Sequence, residues 1–171
     1  MSPRLLERLY DDHADALTGF LMDLTRDPAD ARDALQEIFI KLATRPELLD
    51  GVREERGYLL RLAHNLAIDL IRRRAARSRA HDGLAEESPG IFATTSDPDE
   101  AAFRDELAKA LGALPIDQRT VVHLKLWEGL TFEAIAETLK IPPNTAASRY
   151  RYGLDKLRAL LRPLYDEIRT P

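Results

Sequence analysis

In segment after segment of this chain the apolar residues return every three or four positions, and nowhere do they sustain an alternation. That period gathers them on one side of a helix, whereas a half-buried strand needs a period of two. No Asn-Gly hairpin signal and no repeat at a fixed period occurs. The expected fold class is therefore all-α, and what remains is how the helices are grouped.

Punctuation answers that. Ser2 and Pro3 read as the cap and first turn of a helix that carries Leu5, Leu6, Leu9, Leu17, Phe20, Leu21 and Leu24 inward. Asp27 and Pro28 restart a second helix with Ala31, Leu35, Ile38, Phe39 and Leu42 inside, and Pro46 and Gly51 of "TRPELLDG" close it. A third begins near Glu54, turns Leu59, Leu62, Ala63, Leu66 and Leu70 inward and runs into "RRRAARSR". Residues 81–97, "HDGLAEESPGIFATTSD", lose the period and concentrate Gly, Ser, Thr, Pro and acids, the composition of a flexible linker. Asp97 and Pro98 then cap a fourth helix with Phe103, Leu107 and Leu111 inside. Pro115 opens a fifth with Val121, Leu124 and a core Trp127, ending at Gly129. Thr131 caps a short sixth with Ala134, Ile135 and Leu139, and Asn144 caps the last. The chain of 171 residues thus reads as two small helical domains, 1–80 and 98–171, joined by a flexible linker at 81–97.

The net charge of −4 hides strong local differences. Residues 1–50 hold 6 basic and 11 acidic side chains, 51–81 hold 8 and 3, 82–100 hold none and 6, and 101–171 hold 11 and 9. Local fields of this kind decide what each segment attracts, whatever the total. The absence of cysteine removes disulfides, thiolate zinc sites and cysteine nucleophiles, and is compatible with a reducing cytoplasm. The N-terminal stretch has acids throughout and no signal-peptide core, and no apolar run approaches the roughly 18 residues that span a bilayer. A cytoplasmic protein without membrane insertion is expected.

Three stretches invite a function. Residues 131–161 place a short helix, a tight turn and a longer helix in order, the layout of a helix-turn-helix whose second helix enters the major groove. If Ala146, Tyr150, Leu154, Leu157 and Leu161 face the core, then Ala147, Ser148, Arg151 and Tyr152 face away, with Arg149 on the flank. An arginine there can pair with guanine in a bidentate way, a serine can hold base or phosphate, and an alanine leaves room for a thymine methyl. The plain alternative is a bundle helix with a solvated face. In the third helix, "HNLAID" aligns Asn65, Asp69 and Arg72, and Arg72, Arg73, Arg74, Arg77 and Arg79 follow, more cations than a helix dipole needs. "DALQEIFIKL" sets Asp33, Gln36 and Glu37 on one side of the second helix, opposite Leu35, Ile38 and Phe39. "YDDHAD" offers Asp11, Asp12, His13 and Asp15, but neighbours on a helix diverge and no second ligand cluster joins them. His64, His81 and His123 are scattered, and neither a serine paired with a base nor a glycine-rich phosphate loop is present. Neither catalysis nor a cofactor is expected.

In this order, the motifs resemble the two-domain extracytoplasmic-function (ECF) group of bacterial sigma-70-family sigma factors over nearly the whole chain. "DALQEIFIKL" is similar to the group's core-polymerase-binding helix, "RGYLLRLAHNLAIDLIRRR" to its −10 element segment, and "LGALPIDQRTVVHLKLWEGLTFEAIAETLKIPPNTAASRYRYGLDKLRALL" to its −35-reading domain. The resemblance implies docking of Asp33, Gln36 and Glu37 on the β′ clamp helices of core RNA polymerase, with the second domain near the β flap. It implies −10 contacts from Tyr58, His64, Asn65, Asp69, Arg72 and Arg73, helped by the loop from Thr44 to Glu55. It implies −35 contacts from Asn144, Thr145, Ala147, Ser148, Arg149, Arg151 and Tyr152. Promoter DNA and core polymerase are the implied partners, with an anti-sigma factor as regulator. The rival reading is a stand-alone helix-turn-helix regulator whose N-terminal domain serves interaction.

The chain departs from the group's pattern at four places. Tyr58 stands where the group usually has Trp, and Lys140 where a turn glycine is common. Ala147 stands where Arg or Lys is frequent, and "PPN" precedes the last helix. Lys140 must then adopt a positive φ, or the turn must differ.

Overall fold

A computed structural model describes residues 2–80 and 95–169, with the side chains of 168–169 excepted. Among the described residues there are helices and no strands: α1 (Pro3–Thr25), α2 (Pro28–Thr44), a 3₁₀ turn (Pro46–Leu49), α3 (Glu55–Ala80), α4 (Pro98–Gly112), α5 (Ile116–Leu126), α6 (Phe132–Leu139) and α7 (Pro143–Arg169). The all-α expectation holds. The chain divides into two compact units, the first built on α1–α3 and the second on α4, α5 and α7, with α6 leading into the last helix. Most of the linker segment, 81–94, lies outside the described residues.

The first unit is a three-helix bundle in which each helix packs on both others. Its core takes Leu9, Leu17, Phe20, Leu21 and Leu24 from α1, Ala31, Leu35, Ile38, Phe39 and Leu42 from α2, and Leu59, Leu60, Ala63 and Ala67 from α3. The face of α3 is rotated slightly from expectation. Leu59 and Ala63 are buried as expected, Leu60 and Ala67 join them, and Leu62, Leu66 and Leu70 lie half-buried beside them. The α1–α2 corner turns through Arg26 in the left-handed region, φ 58°. Asp27 then caps α2 by accepting from the amides of Ala29 and Asp30 at 2.8 and 3.0 Å. The same carboxylate accepts from Arg74 of α3 at 2.6 Å, so one side chain both starts α2 and ties it to α3. At the other end of the bundle Arg8 of α1 grips Glu55 of α3 through both guanidinium arms, at 2.8 and 3.0 Å.

The second unit closes on Ala110, Leu111, Leu114, Val122 and Leu157, with Leu107, Tyr150, Leu154 and Leu161 packed against that cluster. Asp97 and Thr131 cap α4 and α6 as the sequence predicts. Ser2 caps α1 as the sequence predicts, its backbone carbonyl taking the amides of Leu5 and Leu6. Three local expectations are corrected. Asn144 lies inside the first turn of α7 and the cap falls on Pro142, whose carbonyl accepts from Thr145 and Ala146. Pro143 suits the first helical position, where its missing amide goes unneeded. Trp127 is not core. It sits one residue beyond α5, where helical periodicity no longer governs direction, and is 43% exposed with its ring stacked on His123 at 5.3 Å. Phe103 is likewise exposed, because the buried face of α4 begins a turn later at Leu107 and Ala108.

Two outcomes follow from this packing. Donation from Arg74, joined by the amides of Asp30 and Ala29, holds the Asp27 carboxyl below the usual carboxylate range. Stability from that charge is complete above the ordinary carboxylate pKa and drains as pH falls through it towards the lowered native value. Asp27→Asn keeps a cap and loses the charge. Thermal melts should therefore show a wild-type advantage at neutral pH that shrinks on acidification, and an advantage independent of pH would contradict the account. The second outcome concerns Gly153, where a Cβ would stand 2.7 Å from Cγ2 of the buried Val122. Alanine gains about 0.8–1 kcal/mol of helix propensity but overpacks a filled site at about 1–3 kcal/mol, so Gly153→Ala should destabilise by roughly 1 kcal/mol. Adding Val122→Ala should remove the overpacking, so a double-mutant cycle in denaturant melts should show coupling between the two sites. Additive losses would contradict the contact.

Candidate nucleic-acid interface

The rotation of α7 about its own axis decides which side chains it offers. Ala146, Gly153 and Leu157 are buried and Tyr150, Leu154 and Leu161 half-buried, so the helix is held along this stripe. Tyr150 meets Phe132 of α6 edge to face at 5.5 Å, which joins the start of α6 to α7. Between them Lys140 adopts φ 57° and ψ 46°, a left-handed closure that a glycine would enter freely and a lysine enters at a cost. Its amide bonds to the Ala136 carbonyl, and the next amide, that of Ile141, takes the same carbonyl at 3.0 Å. Of the two readings of this turn, the positive φ is the one adopted.

With the stripe turned inward, Arg151 and Tyr152 are exposed, Tyr152 at 56%, and Thr145, Ala147 and Ser148 are half-exposed beside them. Asn144 is exposed in the first turn. The Arg151 guanidinium lies 5.2 Å from the centre of the Tyr152 ring, near enough for a cation–π attraction. Arg149 differs from Arg151 in having a partner, Asp117 in the first turn of α5, at 3.3 Å. This is a helix face with a paired cation on its flank and an arginine and an aromatic at its centre. Such a face can meet a polyanion with a groove.

On α3, Asn65, Asp69, Arg72 and Arg73 are exposed, and His64 and Tyr58 are half-buried. Tyr58 carries the Arg61 guanidinium 5.5 Å from its ring centre. The helix start is set by Glu54, whose carboxylate accepts from the Gly57 amide at 2.6 Å. Among the five arginines of the basic end, Arg74 is turned back to α2, 2.6 Å from Asp27 and 3.6 Å from Asp30. Arg72, Arg73, Arg77 and Arg79 are exposed. The loop from Thr44 to Glu55 contains the 3₁₀ turn and reverses at Gly51, φ 73°.

On α2, Asp33, Gln36 and Glu37 are all exposed. Ile40, one turn further along the same face, is 62% exposed. The sequence pattern leaves Ile40 outside the inward set of Leu35, Ile38, Phe39 and Leu42, but does not join it to the polar face. Ile38 and Phe39 occupy the inward directions, and a third consecutive residue cannot.

Among the described residues no helix is long and apolar enough to cross a membrane, and no group of three or more acidic or histidine side chains is arranged to hold a metal ion.

Comparison with known proteins agrees with this geometry. Residues 9–77 match the family described as sigma-70 region 2, which covers α2 and nearly all of α3. Residues 104–157 match sigma-70 region 4, which covers α5, α6 and the exposed face of α7. The chain is 35% identical over 162 residues to the ECF RNA polymerase sigma factor SigL of Mycobacterium tuberculosis, covering 94% of this chain and 90% of that protein. It is 33% identical over 165 residues to the RNA polymerase sigma factor CarQ of Myxococcus xanthus, covering 95% and 92%. The solved structure of the sigma factor RpoE from Bartonella quintana, in complex with the anti-sigma factor NepR, shares the fold. Its TM-score is 0.79 at 22% identity, over 91% of this chain and 96% of that one. By its two matched regions in order and its identity to SigL and CarQ along nearly their whole length, the chain belongs to the ECF sigma factors of the sigma-70 family.

Proposed function

We propose that this chain joins core RNA polymerase through α2, reads a −35 element as duplex with α7, and handles a −10 element as it opens with α3, thereby directing promoter-specific initiation. The observation that carries the reading is the phase of α7. Its apolar stripe is buried, so Arg151, Tyr152, Ser148 and Ala147 form the outward face on the second helix of a helix-turn-helix. Arg151 at the centre of that face is the base reader and Tyr152 its apolar and stacking neighbour. Arg149, Thr145 and Asn144 lie where phosphate contact sets the register. On α3, Arg72 and Arg73 hold backbone, while Asn65, Asp69, His64 and Tyr58 face the bases that leave the stack. The three polar side chains Asp33, Gln36 and Glu37 dock on the β′ clamp helices, and the second unit engages the β flap.

The protein performs no chemistry itself. Its two modules each make moderate contacts, and their covalent connection raises the effective concentration of one once the other is bound. The assigned compartment is the cytoplasm, where polymerase and promoter are found. The assigned regulator is an anti-sigma factor, the kind of partner with which the Bartonella quintana relative was crystallised.

Two variants separate the two surfaces. Arg151→Ala should leave association with core polymerase intact and relax −35 choice at the contacted base pair. Loss of a bidentate contact costs about 1–3 kcal/mol of discrimination, measured by transcription from promoters varied at each −35 position, and unchanged choice would contradict the phase of α7. Glu37→Lys should weaken association with core polymerase at least tenfold in a fluorescence titration while melting like wild type. Normal association would remove α2 from the docking surface.

A further inference from the structure

The basic end of α3 is not uniformly available, and the exception is built into the fold. Arg74 is shared between two carboxylates of α2, Asp27 at 2.6 Å and Asp30 at 3.6 Å, while Arg72, Arg73 and Arg77 on the same helix stand exposed. The Arg74 side chain is 46% exposed, so the pair sits at the surface and not in a core. Surface pairs of this kind hold weakly and give way to competing anions. The acid in this pair also loses little when the arginine leaves. Asp27 keeps the amides of Ala29 and Asp30 and lies at the positive end of the α2 dipole, so its charge stays compensated.

We propose that Arg74 is a reserve phosphate ligand: the α2 carboxylates hold it in the free protein, and it exchanges them for a backbone phosphate when the chain engages opened promoter DNA. The inference rests on the reading that the basic end of α3 meets the promoter backbone. It goes further by assigning an internal competitor that sets the strength of that contact. Asp27 thereby becomes a positioning residue, which weakens DNA engagement by the strength of one exposed ion pair and tempers sequence-independent binding through phosphates. A backbone phosphate carries one negative charge and can replace a carboxylate as the partner of Arg74, while the released Asp27 stays compensated by the α2 amides and dipole.

The test uses the full chain and a fluorescent forked duplex of arbitrary sequence with a single-stranded arm, titrated over a series of salt concentrations. The proteins are wild type, Asp27→Asn, Arg74→Ala and the double variant. Asparagine preserves the cap, and thermal melts verify that each variant is folded. Arg74→Ala should weaken binding and reduce the salt slope by about 0.7–0.9, the contribution of one phosphate. Asp27→Asn should tighten binding by up to about fivefold, the range of an exposed ion pair, where Arg74 is present, and by clearly less in the Arg74→Ala background. An equal effect in both backgrounds would mean that only a negative charge had been removed, and would overturn the exchange. So would an Arg74→Ala variant with the wild-type slope, which assigns the pair to folding alone. A wild-type chain that fails to bind the forked duplex even at low salt would overturn the promoter reading of α3 together with this inference.

Discussion

The anchoring of α7 is the constraint on which the rest of the second unit depends. Ala146, Gly153 and Leu157 are buried, and the space that a Cβ on Gly153 would need is taken by Val122 of α5. A helix held so closely cannot roll. A roll of one residue, about 100°, would take Arg151 and Tyr152 off the outward face. Burial of apolar surface has no direction of its own, yet here it fixes the direction of every polar group on the opposite side. The left-handed Lys140 is tolerated because the packing on either side of the turn over-determines it.

Electrostatics refines what packing presents. In both units an acid near a helix N-terminus collects an arginine from another helix: Asp27 takes Arg74, and Asp117 takes Arg149. The acids favour those positions on account of the helix dipole, so the pairs belong to the folding of α2 and α5 as much as to any surface. They also sort the arginines. Arg72, Arg73 and Arg151 remain outward, whereas Arg74 and Arg149 carry an internal partner. The negative net charge of the chain is thus compatible with binding a polyanion, because acids and bases are segregated by helix and by face.

Helix content, helix order and most caps were legible in the sequence. They are local properties, set by period and by the chemistry of Asp27, Asp97 and Thr131. The outward face of α7 was legible for the same reason, since a stripe of five apolar residues leaves one direction free. Properties requiring knowledge of a neighbour were not legible. Trp127 lies just past the end of α5, where the helical period no longer governs direction, and Phe103 lies inside α4 one turn before its buried face begins. Gly153 is a packing necessity visible only when Val122 faces it. Asn144 is chemically a fit cap, but a proline at the first helical position moved the boundary back by two residues. The Arg74 pair spans 47 residues of sequence, and no local pattern announces it.

In the proposed function the exposed faces of α2, α3 and α7 serve one initiating factor, docking on polymerase, handling the opened strand and reading the groove. The central proposal is that α3 and α7 select a promoter together, and that initiation from it requires polymerase. The most direct measurement is selection of active promoters from a randomised library by core polymerase supplemented with this protein. The account predicts that transcripts depend on the protein and that two conserved elements emerge at a fixed separation, upstream and at the point of opening. Transcripts that ignore the upstream element, or a protein that binds a DNA site equally well without polymerase and directs no initiation, would contradict it.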